Sequence, residues 1–576
     1  MRQAVSRAAF GPIGYGVLLA AVGFAYRATF ITQGLAATDE GWLQSMGLRI
    51  AHGEVPYRDF DFDLPPLSIY KEAALIRVFG DAYGVLASRW AFVAVATLGS
   101  VVAFLIVRRY VRDLVAFMVT LPTVFLSVFI YSFSNYNYDA EVLLLIAVLL
   151  IVWTRPGQPL PPILAGVMVG LAFLAKQTYL AFLPAAIVAG VLGVRISAAR
   201  ESPGMAGLRQ WPLILVGACV PALGAAAYFA SQGAFPQFVY QAFLLYNNAH
   251  QGSIRGLIAQ GVPFYVARPA GVAVLLVIPL LLPARSVVWE RVRTGVVALG
   301  LALLVILTIV EVHVIRASFL VAAFELLWAL NLVALYAGLR GGFPPPDLTL
   351  LAITLQYLAQ VTYNGAVVFY LGEYLTVPVA LLFLHAWIRD HRAAPDPAIP
   401  SRRGPEVLAA VFGLWLVVGA ITAVRGFVYE NADRAQLTSA FTSPKLAGIT
   451  SLPATTHRID GMVAMTDRLS RPGEPVFAFP DLAILYFLTD RPNPTRITWY
   501  NTGSITADEV SQAVRDLRRQ PPRVVFLQTY RESDFERSDP LDYRAEPKWD
   551  PVYEYLIAHY RQVDTIGDLL VFVPNA

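Results

Sequence analysis

TDEGWLQSMGLRIAHGEVPYRDFDFDLPPLSIYKEAALIRVFGDAYG, residues 38–84, separates the first two long apolar runs of the chain. From Glu40 to Ile50 the apolar positions Trp42, Leu43, Met46, Leu48 and Ile50 fit a short amphipathic helix that ends at His52 and Gly53. A second helix is expected after Pro65 and Pro66. Leu67, Ile69, Tyr70, Ala74, Leu75, Val78 and Phe79 would form its apolar face, with Lys71, Glu72 and Arg77 opposite. That is the pattern of a helix lying in the headgroup plane. Two such helices joined by an acidic turn would hold Asp39 at the mouth of a helical bundle.

The rest of the chain supplies the bundle. Of 576 residues, 57% are hydrophobic and 15% charged, and the mean hydropathy is +0.56. The expected fold class is a polytopic α-helical membrane protein. A bilayer core needs roughly 20 apolar residues per helix, and fewer where a helix packs inside a bundle. About thirteen runs qualify: 11–31, 85–107, 113–133, 139–154, 161–175, 178–195, 211–230, 264–283, 294–311, 317–338, 347–369, 371–388 and 405–425. The net charge of +4 is spread along the chain, which leaves no footprint for nucleic acid. The single cysteine, Cys219, excludes an internal disulfide and reads as a small buried hydrophobe.

Arginine sets the orientation, because cytoplasmic loops retain basic residues. One set of alternating loops holds seventeen arginines, among them Arg108, Arg109, Arg112 and Arg340. The opposite short loops hold only Arg27, Lys176, Arg255, Arg268 and Arg316. The N-terminus is therefore expected in the cytoplasm, with loop 32–84 and the tail 426–576 outside. A cleaved signal peptide is the rival reading of residues 1–31, but the run is long and no small-residue cleavage site ends it.

The tail is read as a second domain, 426–576 after a membrane domain 1–425. Strand-like runs PVFAFP (475–480), RVVFLQ (523–528) and LLVFVP (569–574) alternate with helical patterns such as 507–520, which predicts a small extracytoplasmic α/β sandwich. Neither GxGxxG nor GxxxxGK[ST] occurs in it, so no nucleotide site is expected there. No HExxH or comparable histidine spacing suggests a zinc hydrolase.

The run DEGW, then GEVPYRDFDFDLPPL, LIRVFGD and LASRW, resembles the first outer loop of GT-C membrane glycosyltransferases, in the branch similar to protein O-mannosyltransferases and aminoarabinose transferases. GLAFLAKQTYL (170–180) resembles that family's lysine-bearing helical turn, and AILYFLTDRPNPTRITWY (483–500) its outer C-terminal domain. The resemblance implies an inverting transferase that moves a sugar from a polyprenyl phosphate to an extracytoplasmic glycan, lipid or protein acceptor at a bacterial plasma membrane. It makes Asp39 the base and Glu40 its hydrogen-bonding support. Asp139, at the start of a later helix, would be the facing second acid. Asp39 and Asp139, with Asn135 or Asn137 nearby, could share a divalent cation (Mg or Mn) or work without one. Helix capping is the plain alternative for Asp139.

Lys176 matches the lysine that contacts the lipid phosphate in similar proteins. Arg255, His313 and Arg316 are further substrate-binding candidates, each equally readable as a membrane-rim cation. Tyr57 and Arg58 would face sugar or phosphate, or simply brace the loop. Asp63 and Leu64 stand where some relatives carry a basic residue before the proline pair, and Glu373 stands where an Arg or His is common. A lipid-linked sugar transporter and a non-catalytic envelope assembly protein remain the alternatives from other classes.

Overall fold

The computed structural model describes residues 11–125, 133, 135–195, 202–245, 327, 330–362, 373–393, 426–427, 432–529 and 541–575. The expected spans 264–283, 294–311 and 405–425, and about half of 317–338, lie outside the described residues.

The bundle consists of α1 (Pro12–Ala28), α4 (Gly84–Val107), α5 (Asp113–Thr120), α6 (Tyr136–Trp153), α7 (Leu160–Ala175), α8 (Phe182–Arg195), α9 (Trp211–Ser231), α10 (Pro346–Thr362) and α11 (Glu373–Ala393). Between α1 and α4 lie α2 (Asp39–Ala51) and α3 (Leu67–Phe79). Among the described residues, three helices are long and apolar enough to cross a membrane, spanning Asp81–Val107, Tyr136–Trp153 and Trp211–Ser231. Seven shorter apolar helices accompany them, including Leu160–Ala175 and Pro346–Leu355. Because successive helices alternate in direction, the arginine-rich turn after α4 and the end of α6 lie at one end of the bundle. The start of α2, the start of α6 and the end of α7 lie at the other.

Helices α7 and α9 touch backbone to backbone. A Cβ at Gly166 would lie 2.0 Å from the Ile214 carbonyl oxygen, and one at Gly217 would lie 2.0 Å from that of Ile163. Small residues allow this approach, which in lipid is stabilised by dispersion contacts rather than by water exclusion. Because Gly217 and Ala218 take that contact, Cys219 turns outward. It is exposed beside Val216, Val220 and Leu223, not buried as expected.

The C-terminal unit is built on a four-stranded sheet. Its elements are α12 (Pro453–Leu469), β1 (Val476–Phe479), α13 (Ile484–Thr489), α14 (Ala507–Arg519), β2 (Val524–Gln528), α15 (Asp550–His559), β3 (Tyr560–Ile566) and β4 (Leu569–Pro574). The strand order is β1-β2-β4-β3, with β1 and β2 parallel and the other neighbours antiparallel. Val476, Ala478, Val524 and Phe526 pack on the α12 and α13 side. Phe477, Phe479, Val525 and Leu527 pack on the α14 and α15 side. Two-sided burial explains why β1 and β2 read as unbroken apolar runs.

This unit is pinned to the mouth of the bundle. Thr450 bonds through its backbone to Thr32 and Gly34. Ser45 donates to the Ala483 carbonyl (2.5 Å), and Lys445 bridges Asp81 (2.9 Å) and Asp490 (2.7 Å). Helix α2 is consequently covered on nearly every side, whereas the sequence suggested an amphipathic helix at the interface. Its glycines permit this: a Cβ at Gly41 would lie 2.4 Å from Ile484, and one at Gly47 would lie 2.7 Å from Glu72. Helix α3 departs as well. Glu72 is buried with Ser68, Ile69, Ala73 and Ile76, while Val78 and Phe79 are exposed.

Candidate active site

Asp39 is the first residue of α2 and is half-buried. At a helix N-terminus the unpaired backbone N–H groups favour the ionised carboxylate. Glu40, next along the helix, points elsewhere. It is fully buried and receives both arms of the Arg89 fork, Nε to Oε1 at 2.7 Å and Nη2 to Oε2 at 2.7 Å. Arg89 also donates to the carbonyls of Ile31 (2.7 Å) and Gly34 (2.8 Å), so one guanidinium ties α4 to the approach and start of α2. Bidentate, charge-assisted bonds of this kind fix orientation as well as energy.

Asp139 occupies the first turn of α6, but capping that helix falls to Asn135, whose side chain accepts from the Asn137 and Tyr138 N–H groups. Asp139 Oδ2 instead accepts from Ser68 Oγ (2.7 Å) and Lys71 Nζ (2.6 Å). Lys71 also lies 3.4 Å from Glu72 Oε1. Glu72 receives Gln44 Nε2 (2.8 Å) and Ser88 Oγ (3.1 Å). Burial pushes Glu72 up to about 7, against the opposing pull of Lys71. Burial also acts to lower Lys71, but the charges of Asp139 and Glu72 outweigh it and leave its pKa raised. Lys71 is thus a cation at neutral pH.

Lys176 leaves the end of α7 in an extended conformation and is buried. Its ammonium sits 4.7 Å from the centroid of the Tyr136 ring, a cation–π contact. Burial lowers its pKa to about 8, with Asp63 and Asp39 acting in opposition. Both acids therefore stand within its electrostatic reach. Asp39 thus stands within reach of Lys176, and Asp139 is paired with Lys71, at the same end of the bundle.

Tyr57 and Arg58 are engaged with the loop itself. Tyr57 is buried and donates to the Leu64 carbonyl (2.6 Å), and Arg58 forks onto Asp59. The carbonyls of both accept from Arg496, which also pairs with Asp61 (2.8 Å). Arg255, His313 and Arg316 lie outside the described residues.

No group of three or more His, Cys, Asp or Glu gathers as a metal site among the described residues. Asp139 Oδ2 is taken up by Ser68 and Lys71, and Asn135 spends its oxygen as a cap.

Sequence reasoning missed Lys71, Glu72, Gln44, Ser68 and Arg89. One signal was available: Ser88 and Arg89 open an otherwise apolar run, where an ionisable group is costly without a partner.

No protein-family model matches the sequence, and no curated protein does. Among solved structures, ArnT from Cupriavidus metallidurans bound to undecaprenyl phosphate is similar over 97% of this chain and 98% of its own, with a TM-score of 0.51 and 14% identity. The oligosaccharyltransferase AglB from Archaeoglobus fulgidus, in complex with an inhibitory peptide and a dolichol-phosphate, is similar over 90% of this chain and 69% of its own. Its TM-score is 0.48 at 13% identity, too loose a superposition to carry the assignment. The likeness to ArnT, spanning nearly the whole of both chains, shows that this protein shares the polytopic helical fold of that structure.

Proposed function

We propose that the protein is an inverting glycosyltransferase that moves a sugar from a polyprenyl-phosphate donor to an acceptor hydroxyl. The transfer takes place at the end of the bundle covered by the C-terminal unit. The observation that carries this reading is a helix-terminal carboxylate, Asp39, within the field of Lys176, with a second cation, Lys71, held by Asp139 at the same end of the bundle. Asp39 accepts the proton of the acceptor hydroxyl as its oxygen attacks the anomeric carbon. The bond from that carbon to the carrier phosphate oxygen breaks, and the electron pair leaves with the phosphate. Lys176 and Lys71 stabilise the charge that develops there. Asp139 positions Lys71, and Glu40, through Arg89, positions the start of α2. The proton on Asp39 then returns to water. Holding donor and acceptor at one edge supplies orientation worth several kcal/mol of barrier.

In this reading the chain resides in a bacterial plasma membrane, with the N-terminus cytoplasmic, and the C-terminal unit is an extracytoplasmic domain. A transporter would need its ionisable groups near the bilayer midplane. Here Asp39, Asp139 and Lys176 stand at helix ends, which favours chemistry at the boundary. The test uses purified full-length protein in nanodiscs and a radiolabelled polyprenyl-phosphate sugar. Wild type should transfer label to an envelope acceptor, and Asp39→Asn should lower the rate by roughly 10²- to 10⁴-fold. Undiminished transfer by Asp39→Asn removes Asp39 from the base role, and no transfer from any polyprenyl-phosphate sugar removes the transferase reading.

A further inference from the structure

A second feature of the mouth points to the acceptor. Between the segment around Asp61–Asp63 and the C-terminal stretch 497–509 lies a cleft of about 390 Å³, open to solvent. Trp42 and Trp499 line it, with rings edge to face at 5.3 Å and 63°. Asp61, Asp63 and Glu509 supply carboxylates, and no Lys, Arg or His lines it among the described residues. Burial raises the pKa of Glu509 against the hydrogen bonds it accepts from Thr506, and Asp61 and Asp63 add to the rise, so the three acids share one field. Thr498 adds an independent mark. It is only 3% exposed and lines the cleft, yet its Oγ1 has no hydrogen-bond partner among the described residues. A buried hydroxyl left unpaired is costly, so this one is suited to a partner that arrives with a ligand.

We propose that this cleft seats an uncharged, hydroxyl-rich acceptor, a neutral oligosaccharide, and rejects anionic acceptors. Ionised carboxylates only accept hydrogen bonds, so the ligand must bring donors. Sugar hydroxyls do so, while the C–H face of a sugar ring lies on indole surface that is apolar but edged with a polar N–H. A phosphorylated acceptor brings negative charge and few donors to a cleft whose acids Asp63 and Glu509 repel it, Asp61 being already paired with Arg496. The placement is apt. Trp42 follows Asp39 by three residues, nearly one turn of α2, and Asp63 both lines the cleft and acts on Lys176. Cations thus gather on the donor side and carboxylates on the acceptor side. This inference rests on the transferase reading for the word acceptor, but its binding chemistry can be measured apart from transfer.

The experiment places wild type, Trp499→Ala, Thr498→Val and Glu509→Lys in nanodiscs. Saturation-transfer NMR is recorded with neutral gluco-, manno- and arabino-oligosaccharides, their phosphomonoesters and an oligolysine peptide. At least one neutral oligosaccharide should bind wild type, with its phosphomonoester at least tenfold weaker. Trp499→Ala should weaken the neutral ligand roughly tenfold. Thr498→Val, which keeps shape and should leave the thermal midpoint unchanged, should weaken it several-fold. Glu509→Lys should narrow the gap between neutral and phosphorylated forms. The proposal is overturned if no neutral oligosaccharide binds, if a phosphomonoester binds equally well, if oligolysine displaces the sugar, or if Trp499→Ala and Thr498→Val both bind as wild type does. Undecaprenyl phosphate binding is followed on the same samples by native mass spectrometry. Its absence in wild type counts against the transferase reading and leaves the cleft result standing, whereas its presence without sugar binding counts against the cleft alone.

Discussion

Lys71 Nζ lies 2.6 Å from Asp139 Oδ2, joining the outer loop to the first turn of α6. The pair is shielded but not sealed, since the Lys71 side chain keeps 23% of its exposure. In the proposed transfer, a cation held this way meets the carrier phosphate while Asp139 fixes its position. Lys71→Ala should therefore lower kcat/KM for the donor by roughly 10²-fold, the scale of losing one charged stabiliser. Asp139→Asn should lower it less, because Lys71 remains but wanders. The double variant should be no worse than Lys71→Ala, since both changes act through one ammonium. Additive losses in that cycle would mean that Asp139 acts on its own.

Glu40 and Arg89 form a buried pair, and buried pairs respond differently to loss of one partner and loss of both. Arg89→Met leaves the Glu40 carboxylate without its counter-charge and should destabilise the protein by about 3–5 kcal/mol. The double change Glu40→Met with Arg89→Met should restore much of that. Thermal unfolding in detergent checks the first effect, and the transfer assay checks the second consequence. The double variant should remain slow, because the carbonyls of Ile31 and Gly34 lose the donor that sets the start of α2. A double variant as active as wild type would assign Glu40 no part in positioning.

Two pKa shifts give pH dependences of opposite meaning. Burial raises Glu72 from the ordinary 4.5 to about 7. Between those values the folded chain keeps a proton that the unfolded chain has released. Stability contributed at this site is thus greatest at low pH, falls as pH rises through the window and levels off above it. Glu72→Gln should flatten that slope in denaturation curves measured from pH 4.5 to 8. Lys176 is shifted down, to about 8, so its charge is lost as pH rises past that point. Donor kcat/KM, which reports the free enzyme, should fall above pH 8. In Lys176→Arg that alkaline limb should vanish even if the plateau is lower, and an unmoved limb would assign the titration to another group.

The sequence made some of this legible and hid the rest for identifiable reasons. Strands β1, β2 and β4 were visible as apolar runs because the sheet is covered on both faces, or nearly so. Strand β3 was not. It is an edge strand whose inner positions, among them Arg561, Gln562 and Asp564, are exposed, so no apolar run marks it. The ends of α2 were read within a residue or two, but its surroundings were not, since period alone cannot tell a helix on a membrane from one beneath another domain. Asp39 and Lys176 stood out because charges are rare beside apolar runs. Lys71 and Glu72 did not, because an acid and a base on an amphipathic helix read as a solvated face until the partners on α4 and α6 are known.

The glycines of α2 carry the signal that the periodicity lacked. At Gly41 a Cβ would lie 2.4 Å from Ile484 Cβ and 2.8 Å from the backbone of that residue. Nothing there is a flexible side-chain end that could swing away, so Gly41→Ala must push α13 off α2. Overpacking of this kind costs about 1–3 kcal/mol. Because Asp39 lies two residues before Gly41, the same displacement should reach the reacting edge. Expected outcomes are a lower thermal midpoint, faster proteolysis of the 432–575 region and a reduced transfer rate. Gly53→Ala is the control. Its Cβ would meet nothing within 4 Å, but its φ of +98° strains any other residue, so it should cost stability locally without loosening the C-terminal unit. Equal protease resistance in the two variants would show that the contact between α2 and α13 is not what holds the C-terminal unit over the mouth.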